Sequence, residues 1–326
     1  MTISRRSFLK GAGAAGIISL VPTAKSQAQM TDNSYATFID LSKCDGCKGK
    51  ETPLCVSSCK NERQQSFPKV NKDQLQDYWP QKKHEDWSDK QHLTDRFTPY
   101  NWIFVQKVNV DGEEISIPRR CMHCDNPPCA KLCPFGVKHK TAEGPVYIDQ
   151  SLCFGGAKCR SVCPWQVPQR QAGVGIYTLW QKYLPVGGGV MFKCDLCRNL
   201  LAEGKSPHCI NACPQNAMKI GRRDEIFYIA RQLRDKEKGY LYGMDENGGT
   251  STIYFSKVPF DKIDKALTDK YNSKKKPKLV RLHKAENLLE KNDLWTQLSL
   301  VSPLIGAAAA FTLTRKTPTS DNPEEK

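Results

Sequence analysis

Fifteen cysteines stand in four groups, and their spacing is the chemistry this chain carries. Group one is Cys44-x2-Cys47-x7-Cys55-x3-Cys59. Group two is Cys121-x2-Cys124-x4-Cys129-x3-Cys133, followed by Pro134. Group three is Cys153-x5-Cys159-x3-Cys163, followed by Pro164. Group four is Cys194-x2-Cys197-x11-Cys209-x3-Cys213, followed by Pro214. An odd total excludes a complete set of internal disulfides. At 326 residues the chain also exceeds a small disulfide-stapled scaffold. Metal ligation remains.

An iron–sulfur cluster needs several thiolates converging on one small body. A loop with two residues between cysteines places neighbouring sulfurs on it. The cysteine three residues further on, followed by proline, points away, and in two-cluster ferredoxins it ligates the other cluster. The proline ends the loop and removes a backbone donor. Zinc sites use two paired Cys-x-x-Cys units and rarely this ending. Cys-x3-Cys closes all four groups, with proline after it in three and Lys60 after it in group one, so clusters are expected and zinc is disfavoured.

Group three is one ligand short. A regular loop would carry a cysteine at position 156, where the residue is Gly156. No Asp, Glu or His lies between Cys153 and Cys163 to replace it. The expectation is a 3Fe-4S cluster. A four-iron cluster completed by water or an outside ligand is the alternative.

Short strands must feed these loops. Phe38-Ile39-Asp40 precedes Cys44, and Tyr147-Ile148-Asp149 precedes Cys153 at the same offset. That internal repeat predicts a duplicated module. Residues 60–120 form an insertion with a hairpin predicted from Trp102 to Val110, a turn at Asp111-Gly112, and Ile115 to Ile117. Residues 164–193 form a second insertion with a flexible Gly187-Gly188-Gly189. Residues 223–234 read as helix, and 239–256 as loops or strands.

These groups, in this order, resemble the four-cluster ferredoxin-like electron-transfer subunits of bacterial respiratory oxidoreductases. The resemblance covers residues 35–222. It rests on Cys121-Met122-His123-Cys124-Asp125-Asn126-Pro127-Pro128-Cys129, on Cys163-Pro164-Trp165-Gln166-Val167-Pro168, and on Lys193-Cys194-Asp195-Leu196-Cys197. It implies an α+β fold of two pseudo-symmetric two-cluster ferredoxin modules with insertions. It also implies that group one pairs with group four, and group two with group three. One 4Fe-4S cluster would then use Cys44, Cys47, Cys55 and Cys213. A second would use Cys194, Cys197, Cys209 and Cys59, and a third Cys121, Cys124, Cys129 and Cys163. The 3Fe-4S cluster would use Cys153, Cys159 and Cys133. The expected set is three 4Fe-4S clusters and one 3Fe-4S cluster.

The chain ends refine the resemblance. Ser4-Arg5-Arg6-Ser7-Phe8-Leu9-Lys10, an apolar run from Gly11 to Val21, and Ser26-Gln27-Ala28 read as a twin-arginine signal over 1–28. Leu294 to Thr314 is a run of 21 uncharged residues closed by Arg315 and Lys316. As a helix it would match the hydrocarbon thickness, so a transmembrane anchor is expected at 294–314. A buried or surface-lying helix is the alternative. Residues 223–293 form a basic C-terminal extension, and 315–326 a short tail. An export signal together with an anchor is most like the subunit of periplasmic, quinone-linked nickel–iron hydrogenase. The implied partners are the hydrogenase small and large subunits and an integral membrane quinone-reactive subunit. The implied place is the periplasmic side of the cytoplasmic membrane. A molybdopterin catalytic subunit, of the formate dehydrogenase or inorganic-acceptor reductase type, is the alternative partner. A non-redox cysteine-rich metal-binding protein is the alternative of another class.

The net charge of +15 fits nucleic acid, an anionic membrane or an acidic partner. Nucleic acid suits an exported chain poorly. Residues 257–291 hold 11 basic and 5 acidic side chains, enough to rest near anionic headgroups or to form a solvated linker. His123, between two ligands, is expected as a packed neighbour able to donate to cluster sulfur. His84, His92, His139, His208 and His283 form no ligand-spaced set. Trp79, Trp87 and Trp102 read as insertion core. Lys158, Arg160 and Lys193 flank cysteines and either offset cluster charge or face solvent. No phosphate loop, hydrolytic triad or acid pair occurs, so the chain is expected to be non-catalytic.

Overall fold

The computed structural model describes residues 34–78, 82–180, 187–272 and 280–291. The expected signal at 1–28, the anchor at 294–314 and Trp79 lie outside these residues. Among the described residues no helix is long and apolar enough to cross a membrane.

A four-stranded sheet runs in the order β8 (Met218–Arg222), β1 (Tyr35–Asp40), β10 (Thr252–Ser256), β9 (Tyr240–Tyr242). β1 pairs parallel with β10 and antiparallel with β8. Side chains alternate across the pleat. Ala36 and Phe38 of β1, with Ile253 and Phe255 of β10, face the helix Arg223–Glu237, which buries Ile226 and Ala230 against them. Asp224 and Glu225 in its first turn and Arg234 and Lys236 in its last complement the helix dipole. Ile39 and Tyr254 face the other way, into a core that contains Cys55, Cys59, Cys121, Cys194 and Cys209. The sheet therefore draws on strands from both sides of residue 222.

Two halves repeat one plan. In the first, β1 and β8 form the strand pair, and the helix Leu54–Glu62 packs on the helix His208–Asn211. In the second, β4 (Lys138–Lys140) pairs with β5 (Val146–Ile148), and Pro128–Lys131 packs on Lys158–Ser161. Three of these four helices have only four residues, far below the length at which a helix stands alone in water. Packing against the cysteine core holds them. The repeat extends to single atoms. Asp40 Oδ1 accepts from Ser42 N at 3.0 Å and Ser42 Oγ at 2.6 Å. Asp149 Oδ1 accepts from Ser151 N at 3.0 Å and Ser151 Oγ at 2.5 Å. The two strands enter their loops through the same side-chain turn.

The hairpin of the first insertion forms with β2 at Phe104–Val110 and β3 at Glu113–Arg119. The predicted helix after 222 is present and longer than expected. Trp102 is buried and Trp87 half-buried. One expectation needs correction. The glycine run is walled in rather than slack at Gly188 and Gly189. β6 (Gln169–Gln171) pairs with β7 (Val190–Phe192). A Cβ on Gly189 would stand 1.9 Å from the Gln171 carbonyl oxygen. Glycine is there because two backbones meet, not because the chain must flex.

Candidate iron–sulfur centres

Cys-x3-Cys places two sulfurs one helical turn apart on one face. Cys55 and Cys59 sit this way on the helix Leu54–Glu62. Cys129, Cys159 and Cys209 lie on the short helices, with Cys133, Cys163 and Cys213 just beyond their ends. The Cys-x-x-Cys loops need left-handed backbone. Cys47 has φ of 50° and Cys197 of 49°. Asp45 Oδ1 accepts from Cys47 N at 2.9 Å, and Asp195 Oδ1 from Cys197 N at 3.0 Å. Groups one and four thus share one loop geometry.

All fifteen thiols are free of disulfides. Cys44, Cys47, Cys55 and Cys213 line one small cavity, walled by Pro53, Val105 and Met218. Burial, then the neighbouring Cys213, pushes the Cys44 thiol up to about 11, with the Gly46 N–H opposing. Cys55 is raised by burial and then by Cys209, Cys44, Cys47 and Cys213. Cys59 is raised by burial and then by Cys209, Cys194 and Cys197. Cys124 is raised by burial and then by Cys129, Cys121 and Cys163. Burial, then Cys129, pushes Cys163 to about 12. Cys153 is raised by burial and, among thiols, by Cys159. Cys133 follows Cys129 at the end of its helix and is half-buried. Sulfurs from groups one and four therefore share two neighbourhoods, and sulfurs from groups two and three share a third.

The neighbourhoods also influence one another electrostatically in series. Cys55 feels Cys209, Cys194 feels Cys121, and Cys129 feels Cys159. Among the described residues no group of three or more His, Cys, Asp or Glu is arranged to hold a single metal ion. A zinc ion needs four ligands at about 2.0–2.3 Å. Four cysteines lining one cavity suit a larger body such as a cluster.

Buried cations complete the fit. Lys193 is 4% exposed and Lys138 6%, and Arg120 is 2% exposed. The Lys138 ammonium and the Arg120 Nε and NH1 make no hydrogen bond. Lys138 lowers the thiol pKa of Cys129, and Arg120 that of Cys194 and Cys209. An unpaired buried charge is costly. Anionic clusters held at these cysteines would supply the counter-charge these cations lack.

Several groups aim donors at sulfur. Leu196 N lies 3.4 Å from Cys194 Sγ, and Leu54 N 3.5 Å from Cys47 Sγ. Asn247 Nδ2 lies 3.4 Å from Cys124 Sγ, and Lys193 Nζ 3.5 Å from Cys121 Sγ. Arg63 NH2 lies 3.6 Å from Cys197 Sγ, pairs with Asp195, and carries its guanidinium 4.2 Å over the Trp102 ring. Of the cations flanking cysteines, Lys193 is buried against sulfur, Arg160 pairs with Glu85, and Lys158 is exposed. His84 and His208 contact the carboxylates of Asp77 and Glu62. Arg63, Arg120, Lys138 and Asn247 escape sequence reasoning. Only Arg120, next to Cys121, carries a local signal, as a charge that adjoins a ligand.

Comparison with known proteins agrees with this geometry. Models described as 4Fe-4S dicluster domain match residues 43–137 and 113–223. A twin-arginine translocation signal model matches residues 2–20. A protein of Nitratidesulfovibrio vulgaris is 31% identical over 271 residues, which are 79% of this chain and 65% of that relative. The probable anaerobic dimethyl sulfoxide reductase chain YnfG of Escherichia coli is 33% identical over 192 residues, 59% of this chain and 75% of the relative. The hydrogenase-2 operon protein HybA of Escherichia coli O157:H7 is 26% identical over 306 residues, 80% of this chain and 83% of the relative. The chain belongs to the family of 4Fe-4S dicluster electron-transfer subunits of respiratory oxidoreductases.

Proposed function

We propose that this chain relays single electrons between a periplasmic catalytic subunit of the nickel–iron hydrogenase type and a quinone-reactive subunit in the membrane. The observation that carries this reading is the unbroken line of cysteine groups, linked by the packing of Leu54–Glu62 on His208–Asn211, by Lys193, next to Cys194, reaching Cys121 Sγ at 3.5 Å, and by the packing of Pro128–Lys131 on Lys158–Ser161. The ligand sets proposed are Cys44, Cys47, Cys55 and Cys213; Cys194, Cys197, Cys209 and Cys59; Cys121, Cys124, Cys129 and Cys163; and Cys153, Cys159 and Cys133. The first three sets hold 4Fe-4S clusters and the last a 3Fe-4S cluster. When bound, these clusters supply reversible one-electron transfer. The protein's part is to hold the sulfurs, exclude water and place charge. Arg120, Lys138 and Lys193 stabilise added negative charge and so favour the reduced state.

The hydrogenase assignment draws on the similarity to HybA along most of both chains, together with the twin-arginine signal and the uncharged run 294–314. Residues 1–28 would be the signal and 294–314 the anchor, fixing the chain to the periplasmic face. The domain division proposed is a four-cluster region over 35–222, with insertions at 60–120 and 164–193, and a basic extension over 223–293. The similarity to a dimethyl sulfoxide reductase chain favours a second reading, with a molybdopterin catalytic subunit as partner. Identifying the chains that co-purify from solubilised membranes decides between them. A nickel–iron large subunit is the expected companion, and a pterin-binding one rejects it.

A further inference from the structure

Group three lacks one covalent anchor at Gly156, and the protein provides another hold on the same loop. This inference rests on the 3Fe-4S reading of that site. Gly156 is exposed, and a Cβ there would meet nothing within 4 Å, so no packing supports the loop at the gap. One residue earlier, the Gly155 carbonyl oxygen accepts from Arg170 NH1 at 2.9 Å. The Arg170 side chain is buried, with its guanidinium 3.7 Å over the Tyr78 ring. On the ligand helix, Arg160 directly follows Cys159.

Both guanidiniums end on one carboxylate from the first insertion. Glu85 Oε1 accepts from Arg160 NH2 and from Arg170 NH2, each at 2.6 Å. Glu85 Oε2 accepts from Arg160 NH1 at 2.6 Å. Bidentate pairing of this kind fixes orientation as well as charge. The neighbouring backbone ties down too. Ala172 N donates to the Glu85 carbonyl oxygen at 2.9 Å, and Gln171 Nε2 to Asp86 Oδ1 at 2.8 Å. On its other side the loop meets a wall, for a Cβ on Gly155 would stand 2.3 Å from the Gly189 carbonyl oxygen.

We propose that Glu85 is a positioning residue for the cluster held by Cys153, Cys159 and Cys133: through Arg160 and Arg170 it keeps the Cys153–Cys163 loop in shape where a fourth cysteine would otherwise hold it. The insertion 60–120 then has a role at a site to which it gives no ligand. One carboxylate between two guanidiniums also leaves net positive charge beside an anionic cluster.

The test uses the full chain, purified without oxygen, with and without Glu85→Gln. The readouts are the oxidised three-iron EPR signal per protein, the reduced four-iron signals, and total iron. The expected result is a three-iron signal about tenfold lower, the low end of what outer residues cost at metal sites, with the four-iron signals kept. Adding Gly156→Cys to Glu85→Gln should restore occupancy of the site as a four-iron cluster, because the covalent anchor then replaces the ionic one. A full three-iron signal in Glu85→Gln overturns the proposal. So does equal loss of every cluster, which would make Glu85 a residue of general stability. Absence of the three-iron signal from the unsubstituted chain would instead refute the cluster reading beneath it.

Discussion

His123 and Cys194 face each other across the junction of the two halves, with Nε2 of the imidazole 3.8 Å from Sγ of the cysteine. His123 belongs to group two and Cys194 to group four. The other ring nitrogen, Nδ1, accepts from Val146 N at 2.9 Å. A backbone N–H only donates, so Nδ1 carries no proton. Burial, reinforced by Lys193, Arg120 and Lys140, holds the ring pKa well below its usual value and keeps it neutral. The single ring proton therefore sits on Nε2, aimed at Cys194. The contact is reciprocated, since Lys193, next to Cys194, reaches Cys121 of group two at 3.5 Å. Each half donates to a sulfur of the other.

His123→Phe removes that donor without adding charge. A hydrogen bond to sulfur stabilises the extra electron, so its loss lowers the potential. With roughly 1 kcal/mol per bond, the drop is about 40 mV for a one-electron couple. Redox titration followed by EPR checks it. The cluster on Cys194 should shift, while the one on Cys121 and Cys124, in whose loop His123 sits, should stay.

Lys193→Met acts in the opposite direction across the junction. It removes a buried positive charge 3.5 Å from Cys121 Sγ. Reduction adds negative charge, so the cluster on Cys121 becomes harder to reduce. Its potential should fall further than that of the cluster on Cys194 falls in His123→Phe. An unchanged midpoint would show that solvent, not Lys193, sets the charge balance there.

Removing iron should make the fold sensitive to alkali. In the folded apo chain Cys44 is raised to about 11, and Cys163 and Cys194 to about 12, from 9.0. Burial disfavours the thiolate. Above pH 9 the unfolded chain has released these protons and the folded chain has not. Stability is thus fully present below pH 9 and falls as pH rises toward 11 and 12. Melting of reduced apoprotein should drop over that range. Iron-loaded protein, whose ligands are already thiolates, should not share the drop.

Gly156→Cys alone should add a ligand without strain. The new Cβ meets nothing within 4 Å, and Gly156 is absent from the positive-φ glycines. The three-iron EPR signal should vanish while iron per chain rises by about one. Retention of the signal would place the gap elsewhere than at 156.

Much of the site was legible because its signals are local. Cysteine spacing, the glycine at 156, and the matching Asp40 and Asp149 ahead of their loops are all read within a few residues. The hairpin and the helix after 222 were legible for the same reason. What escaped comes from distant segments. β10 pairs with β1 from more than two hundred residues away, between strands that periodicity alone does not join. Arg63 and Asn247 reach cysteine sulfur from the first insertion and from the segment after 222, and Glu85 reaches Arg160 and Arg170 from that insertion, where each looks like an ordinary polar residue. Gly187-Gly188-Gly189 misled, since glycine marks close backbone approach as readily as freedom.

These sulfurs are proposed to hold four iron–sulfur clusters in series, one of them short of a ligand. Iron, zinc and acid-labile sulfide per chain, with Mössbauer and EPR spectra of anaerobically purified protein, test it most directly. The expected result is about 15 irons, no stoichiometric zinc, and a three-iron signal on oxidation. Stoichiometric zinc without visible absorption, or cysteines oxidised to disulfides with no labile sulfide, would contradict it.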